Sequence, residues 1–144
     1  MVGSMLDKKA KTAIVEAIVN AEKRSTGEIR VHVTRKACRD MMAEAKKTFQ
    51  KLGMHKTKHR NGILLFVSWK NRELAILGDQ GIHDQVGDSF WSQTRDKMIR
   101  YFREGRIEEG IVAGVTDAGE KLQKFFPAEH DKNPNELDNT VTEN

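Results

Sequence analysis

Apolar residues recur at helical spacing in four stretches of the chain, which are residues 10–21, 38–52, 91–102 and 107–125. Within each stretch, apolar side chains return every three or four positions with polar residues between them, as expected for a helix that buries one face. Gly27 and Gly53 follow the first two stretches, and Pro127 follows the fourth. Asp88 or Ser89 is placed to cap the start of the third. The pattern therefore predicts four helices, bounded by residue types that begin or end helices.

Three shorter stretches have the pattern of β-strands, which are residues 28–34, 63–67 and 74–77. The first alternates, with Ile29, Val31 and Val33 on one face, and the second is apolar on both faces, as in a central strand covered on both sides. A short turn at residues 70–72 predicts an antiparallel hairpin of the last two strands. The helix between the first two strands has the length of a right-handed parallel crossover. The order α-β-α-β-β-α-α predicts an α/β fold, a three-layer α/β/α sandwich with a small mixed sheet.

Length and composition indicate one domain in a reducing compartment. The chain has 144 residues, of which 38% are hydrophobic, and a domain of this size can bury an ordinary core. The longest unbroken apolar run, residues 63–67, is far shorter than the ~20 residues of a membrane-spanning helix, and we identify no secretory signal. Cys38 is the only cysteine, which excludes a disulfide framework and a multi-cysteine zinc site. We expect Cys38 to be a small core residue and the protein to be cytoplasmic.

The two ends of the chain differ in composition from the rest. Residues 1–5 are typical of a cloning remnant, and we expect a flexible start there. Residues 127–144 contain five acidic residues, one lysine and both prolines of the chain, with almost no large apolar side chain to offset the entropy of ordering. We therefore predict a folded domain over residues 6–126, followed by a disordered acidic tail over residues 127–144.

The predicted topology brings oxygen-bearing side chains to one edge of the sheet. Glu28 and Asn61 lie at the N-terminal ends of two parallel strands, and Asp79 follows the antiparallel third strand, so all three are expected at the same edge. The glycine-rich residues 78–88, predicted as a loop, add Asp84 and Asp88 nearby. Carboxylate and amide oxygens are the ligands that calcium and magnesium prefer. The alternative is that Asp79 only ends a strand and Glu28 is a solvated strand end.

A second feature is the basic segment, defined as residues 46–60. It carries six lysines and arginines and no acidic residue, together with His55 and His59. This segment could bind phosphate groups on a small molecule or on nucleic acid. Its only aromatic residue, Phe49, lies on the predicted helical stripe, and its loop has none for base stacking, so nucleic acid is the less favoured partner. An ordinary solvated basic loop is the alternative.

Four segments carry a resemblance to a known family: residues 25–31 (STGEIRV), 61–67 (NGILLFV), 77–82 (LGDQGI) and 102–111 (FREGRIEEGI). They resemble the TPM domain, named for a thylakoid lumen protein, a photosystem II repair protein and a nematode receptor modulator. The compact form resembles small stand-alone bacterial members. The resemblance implies an α/β/α sandwich that binds a divalent cation, calcium in some members, in a cleft at the sheet edge. It also implies an acid phosphatase activity, which is attributed to plant members.

Carried over by position, the metal ligands implied by the resemblance are Glu28, Asn61, Asp79 and Asp84. The family usually has an aspartate before the Asn-Gly pair, whereas this chain has Arg60, which removes a carboxylate and adds a cation. The leading hypothesis is a divalent-cation-binding protein, which as an enzyme would be a metal-dependent phosphatase acting on a phosphorylated substrate. The alternative is a non-catalytic module that docks a protein partner.

Overall fold

The computed structural model describes residues 5–127 and 139–144, and in it a four-stranded sheet lies between two layers of helices. Along the chain the elements are α1 (Lys8–Glu22), β1 (Glu28–Thr34), α2 (Met41–Lys51), β2 (Gly62–Ser68), β3 (Glu73–Gly78), α3 (Gln80–Val86), α4 (Ser92–Arg103), α5 (Ile107–Phe125) and β4 (Val141–Glu143), with 3₁₀ turns at Met54–Lys56 and Asp88–Trp91. The predicted α/β/α sandwich is confirmed, and each of the predicted helices and strands is present.

The strand order in the sheet is β3-β2-β1-β4. β1 and β2 are parallel, with Glu28 beside Gly62, and β2 and β3 are antiparallel, with Ile63 beside Gly78. Both the predicted crossover and the predicted hairpin are therefore confirmed. This register places the start of β1, the start of β2 and the end of β3 at one edge of the sheet.

The two faces of the sheet have separate cores. The inward-facing side chains of β1, among them Ile29, Val31 and Val33, are fully buried in a large cluster with α1, α4 and α5. On the opposite face α2 contributes Phe49 to a smaller cluster that includes Phe66 of β2. Burial of one large aliphatic or aromatic side chain stabilises the fold by roughly 1.5–3 kcal/mol. Both clusters therefore hold the strands, and with them the sheet edge, in a fixed position.

The predicted loop over residues 78–88 is wrong, because Gln80–Val86 forms α3. Asp79 is the N-cap of this helix, and its carboxylate accepts a hydrogen bond of 2.8 Å from the backbone amide of Gln80. Gly87, with a φ of +77°, ends the helix. The glycines that suggested a flexible loop therefore lie at or near the two ends of a short helix, where glycine is also common.

The predicted cap of α4 is also wrong. Asp88 begins a 3₁₀ turn and its side chain is exposed, and α4 begins at Ser92 without a side-chain cap. The 3₁₀ turn includes Trp91, the first residue of the predicted helix, and leads directly into α4.

The predicted disordered tail is wrong at its far end. Residues 128–138 lie outside the described residues, as do residues 1–4 of the predicted flexible start. Val141–Glu143, however, forms β4, which pairs in parallel with β1. The exposed edge of β1 supplies backbone hydrogen-bond partners, and this pairing does not require the apolar burial that the composition lacks.

Cys38 lies half-buried just before α2 and packs against the smaller cluster. Burial raises the pKa of its thiol, so the described surroundings do not activate it as a nucleophile. Within the described part of the chain, no helix combines the length and the apolar character that crossing a membrane requires.

Candidate functional site

The first feature of the site is the carboxylate edge, defined as the sheet edge where Glu28, Asn61 and Asp79 lie. The backbone amide of Glu28 donates to the carbonyl of Asn61 at 3.0 Å, and the amide of Asp79 donates to the carbonyl of Gly62 at 2.8 Å. Glu28, Asn61 and Asp79 are 4%, 7% and 6% exposed. Three polar side chains are therefore held at one nearly buried edge by the ladder of the sheet itself.

Asp79 is engaged by Arg60 at this edge. Arg60 Nε donates to Asp79 Oδ2 at 2.8 Å, and Arg60 Nη2 donates to Asp79 Oδ1 at 2.9 Å, which is a two-pronged arginine–carboxylate pair. The Asp79 side chain is 6% exposed, whereas the Arg60 side chain is 46% exposed. Hydrogen bonding to Asp79 raises the pKa of Arg60 above its ordinary value, so the guanidinium is always charged. A buried carboxylate thus fixes the orientation of an exposed cation.

The backbone around Arg60 is fixed as well. Arg60 has a φ of +50°, which is uncommon for a residue with a side chain. Its carbonyl accepts from the amide of Gly81 at 2.8 Å, and its amide donates to the carbonyl of Thr57 at 3.3 Å. A Cβ atom at Gly81 would lie 2.7 Å from the Arg60 carbonyl oxygen and would also overlap the carbonyl oxygen of His59. Glycine at position 81 therefore lets α3 begin directly against the Arg60 backbone.

Glu22, the last residue of α1, joins the edge from the side of β1. Its Oε2 accepts a hydrogen bond of 2.7 Å from the backbone amide of Ile29. Burial raises the pKa of Glu22 to about 7, and the nearby charge of Glu28 raises it further, while the bond from Ile29 opposes both effects. The sequence pattern gave no reason to single out Glu22, because it occupies an ordinary polar position at a helix end.

Asn61 links the edge to the end of α5. Its Nδ2 donates a short hydrogen bond to the carbonyl of Thr26, whose amide in turn donates to the carbonyl of Phe126 at 2.9 Å. Its Oδ1 is buried and has no hydrogen-bond partner among residues 5–127 and 139–144. The Asn61 side chain therefore ties β2 to the connection that follows α5.

Comparison with known proteins identifies the family. The family model of the TPM domain matches residues 3–121. This chain belongs to the TPM domain family. A solved relative of this TPM domain is the BA42 protein of the psychrophilic bacterium Bizionia argentinensis, with 38% identity and a TM-score of 0.91 over 100% of this chain and 99% of that chain. No curated protein matches the chain.

Two more distant structures share the fold of this TPM domain. The N-terminal domain of a protein from P. gingivalis has 21% identity and a TM-score of 0.70, over 85% of this chain and 80% of that one. The N-terminal domain of the cg2496 protein from Corynebacterium glutamicum has 13% identity and a TM-score of 0.65, over 97% and 82%. At this level of identity, the two comparisons show the fold alone.

The four expected ligands of this TPM domain do not, as arranged, fit a divalent cation. Both oxygens of Asp79 accept hydrogen bonds from Arg60, whose positive charge would repel a metal ion bound to the same carboxylate. Asp84 is exposed and lies five residues beyond Asp79, about 140° further around the axis of a regular helix. Among the described residues, no three or more His, Cys, Asp or Glu side chains are grouped so that they could hold a metal ion. Calcium, by contrast, takes about six to eight oxygen ligands.

The basic segment leads directly into this edge. It runs from the second half of α2 through the 3₁₀ turn to Arg60, and Lys56, Lys58 and His59 are exposed. The electrostatic character of the site therefore differs from the sequence-based expectation. Glu28 and Asp79 are nearly buried, whereas Arg60, Lys56 and Lys58 are exposed, so the basic segment presents positive charge beside this edge.

Proposed function

We propose that this TPM domain is a non-catalytic docking module that binds anionic groups, carboxylate or phosphate, on a protein partner. The observation that carries the proposal is the pair of Arg60 and Asp79, in which a nearly buried carboxylate holds an exposed guanidinium through two hydrogen bonds. This was the alternative to metal binding that the sequence left open.

The pairing pre-orients Arg60 for an anion, although the charge of Asp79 offsets part of the charge of the guanidinium. An ordinary exposed arginine has a long side chain with many rotamers, and binding must restrict that freedom. Here the fork from Nε and Nη2 to Asp79, the positive φ and the clamped backbone have already restricted it. The hydrogen-bonding capacity that remains on the guanidinium is then available to a partner at a low entropic cost.

The neighbouring charges favour an anionic partner. The basic segment contains six lysines and arginines without an acidic residue, and its exposed members lie in sequence directly before Arg60. Their field attracts carboxylates and phosphates and falls off within about 8 Å at physiological ionic strength. Binding by this surface is therefore expected to weaken steeply as salt is added.

The test is fluorescence anisotropy with three labelled peptides of the same length: one rich in glutamate, one with phosphoserine in place of the central glutamates, and one with glutamine throughout. We expect the full chain to bind the first two and not the third, and the ratio of their affinities tells carboxylate from phosphate recognition. Arg60→Gln should weaken binding by at least about tenfold, because a charge-assisted hydrogen bond contributes roughly 1.5–3 kcal/mol.

Arg72→Gln is the matched control for this experiment. Arg72 is also an exposed arginine, its φ of +51° is nearly that of Arg60, and it lies in the hairpin turn at the opposite edge of the sheet. Equal loss of affinity in both variants would reduce the effect to net charge and would contradict the proposal. So would equal binding of all three peptides.

Divalent-cation binding and phosphatase activity, which the resemblance implies, stay predictions. A thermal-shift titration with calcium and magnesium tests the first of them, because a ligand that binds only the folded state raises the melting temperature. A rise that Asp79→Asn abolishes would favour a metal site over the docking role of Arg60. A rise that survives in Asp79→Asn would place the cation elsewhere.

A further inference from the structure

The outer edge of β1 is covered by a segment from the far end of the chain. The family match ends at residue 121, and β4 lies beyond it. β4 adds to β1 in parallel, with Val31 opposite Val141. Beyond β4, the amide of Asn144 donates to the carbonyl of Val33 and the amide of Arg35 donates to the carbonyl of Asn144, each at 3.0 Å. Residues 139–144, named here the strap, thus complete a sheet whose β1 would otherwise be an edge strand.

The outer edge of β1, together with the start of α1 beside it, is named here the seat of the strap. Its side chains make it specific for the sequence of the strap. His32 Nδ1 lies 2.7 Å from Thr142 Oγ1, and His32 Nε2 lies 2.9 Å from Asn144 Oδ1. His32 is 5% exposed and stacks on Phe66, with ring centroids 5.8 Å apart. Both ring nitrogens of a buried histidine therefore find their partners on alternate residues of the strap, which is how added strands are recognised.

The residue between these two contacts points to the other side. Glu143 Oε1 accepts from the backbone amide of Met5 at 2.9 Å, and Glu143 Oε2 pairs with Lys11 Nζ at 2.9 Å. The seat therefore recognises three consecutive residues of the strap, Thr142 and Asn144 through β1 and Glu143 through the start of α1.

We propose that the outer edge of β1 is a strand-addition site whose occupant exchanges between the chain's own strap and the strap of a second copy. β4 has only three residues, and a strand so short at the edge of a sheet is held by few bonds. The strap of a second copy has the same sequence, so it makes every contact described above, and exchange loses none of them. This is the condition under which a domain-swapped dimer forms at low cost.

The tether decides which occupant is favoured. Eleven residues separate Pro127 from Asn139, so binding of the chain's own strap is intramolecular, whereas the strap of a second copy must be met by diffusion. The strap of the same chain therefore fills the seat at low protein concentration. The strap of a second copy competes when the protein is concentrated or when the intramolecular strap is defective.

The experiment uses two complementary full-length variants and measures molecular mass by light scattering after size exclusion. His32→Leu damages the seat and leaves the strap intact, and Thr142→Pro damages the strap and leaves the seat intact. Each variant alone is expected to remain monomeric, since neither has an intact strap together with an intact seat. An equimolar mixture is expected to contain a species of twice the monomer mass, in which the strap of the His32→Leu chain occupies the seat of the Thr142→Pro chain.

Two controls make the outcome decisive. Wild type mixed with His32→Leu should give less dimer, because the wild-type seat is already occupied. If Thr142→Pro does not fold, Thr142→Val replaces it, since valine keeps the strand shape and removes only the hydroxyl that contacts His32. A mixture that stays at the monomer mass would overturn the proposal. A dimer formed equally well by either variant alone would also overturn it, because that interface would not need an intact strap on an intact seat.

Discussion

Glu22 makes the stability of the fold depend on pH in a direction opposite to that of most surface carboxylates. Burial raises its pKa from 4.5 in the unfolded chain to about 7 in the folded one. The folded state therefore holds the proton more tightly than the unfolded state. The stabilising contribution of protonated Glu22 is fully present below about pH 4.5 and is lost as the pH rises through about 7.

The size of this effect follows from the same two values. Each pH unit between them corresponds to about 1.4 kcal/mol, so a carboxyl shifted from 4.5 to about 7 corresponds to an upper limit of roughly 3–4 kcal/mol. Glu22 is half-buried, and the solvent it contacts reduces the contribution, so we expect about 1–3 kcal/mol. Glu22→Gln keeps an oxygen to accept the hydrogen bond from the Ile29 amide and removes the charge.

Urea unfolding of wild type and Glu22→Gln from pH 4.5 to pH 8 tests this reasoning. The variant should gain about 1–3 kcal/mol relative to wild type across that range, because it has no carboxyl to ionise at high pH. Taking the difference between the two proteins cancels the titration of groups that do not interact with Glu22. Glu16→Gln, an exposed glutamate of the same helix, controls for the loss of one negative charge. A difference between wild type and Glu22→Gln that does not change with pH would refute the buried, protonated Glu22.

Two substitutions test how the Arg60 region is built. Gly81→Ala should lower the free energy of unfolding by about 1–3 kcal/mol, because its Cβ would lie 2.7 Å from the Arg60 carbonyl oxygen. Gln80→Ala changes the neighbouring exposed residue and should lower the free energy of unfolding much less. Urea unfolding of both variants tests this comparison. Asp79→Asn should lower the free energy of unfolding by about 1–3 kcal/mol, since it removes the charged partner of Arg60 and weakens the cap of α3. Thermal or urea unfolding measures this loss. A loss no larger than that of Asp84→Asn would contradict the pairing of Asp79 with Arg60.

The spacing of hydrophobic residues along the sequence predicts most of the fold. The alternation in β1 and the continuous apolar run in β2 report burial on one face and on both faces, and burial is what a sequence pattern records. The short turn between β2 and β3 fixed the antiparallel pairing, and the helix between β1 and β2 fixed the parallel one. From these, the position of Glu28, Asn61 and Asp79 at one edge follows from topology alone.

Three features depend on contacts with particular residues and not on a repeated pattern, so the sequence does not predict them: α3, β4 and the raised pKa of Glu22. α3 has only seven residues, which is too few to show a clear helical pattern of apolar residues. The three glycines within residues 78–88 favour a loop instead. β4 is held by backbone pairing and by His32, so its own composition resembles that of a disordered chain. The raised pKa of Glu22 arises from the burial of a helix end against β1, which no local pattern around residue 22 records.

Arg60 shows why residue types alone gave the carboxylate edge the wrong electrostatic character. By residue type alone, this edge has the oxygen-bearing side chains of Glu28, Asn61 and Asp79 and the single cation of Arg60, which favours a site for a cation. In the structure, the cation pairs with the buried Asp79, while its own side chain remains 46% exposed. The pair as a whole is formally neutral, but the guanidinium lies at the solvent and the carboxylate lies beneath it, so a partner meets the positive end first. A single residue at position 60 therefore changes what the edge presents to solvent from a negative group to a positive one, and the sequence shows the residue but not the pairing that gives it this effect.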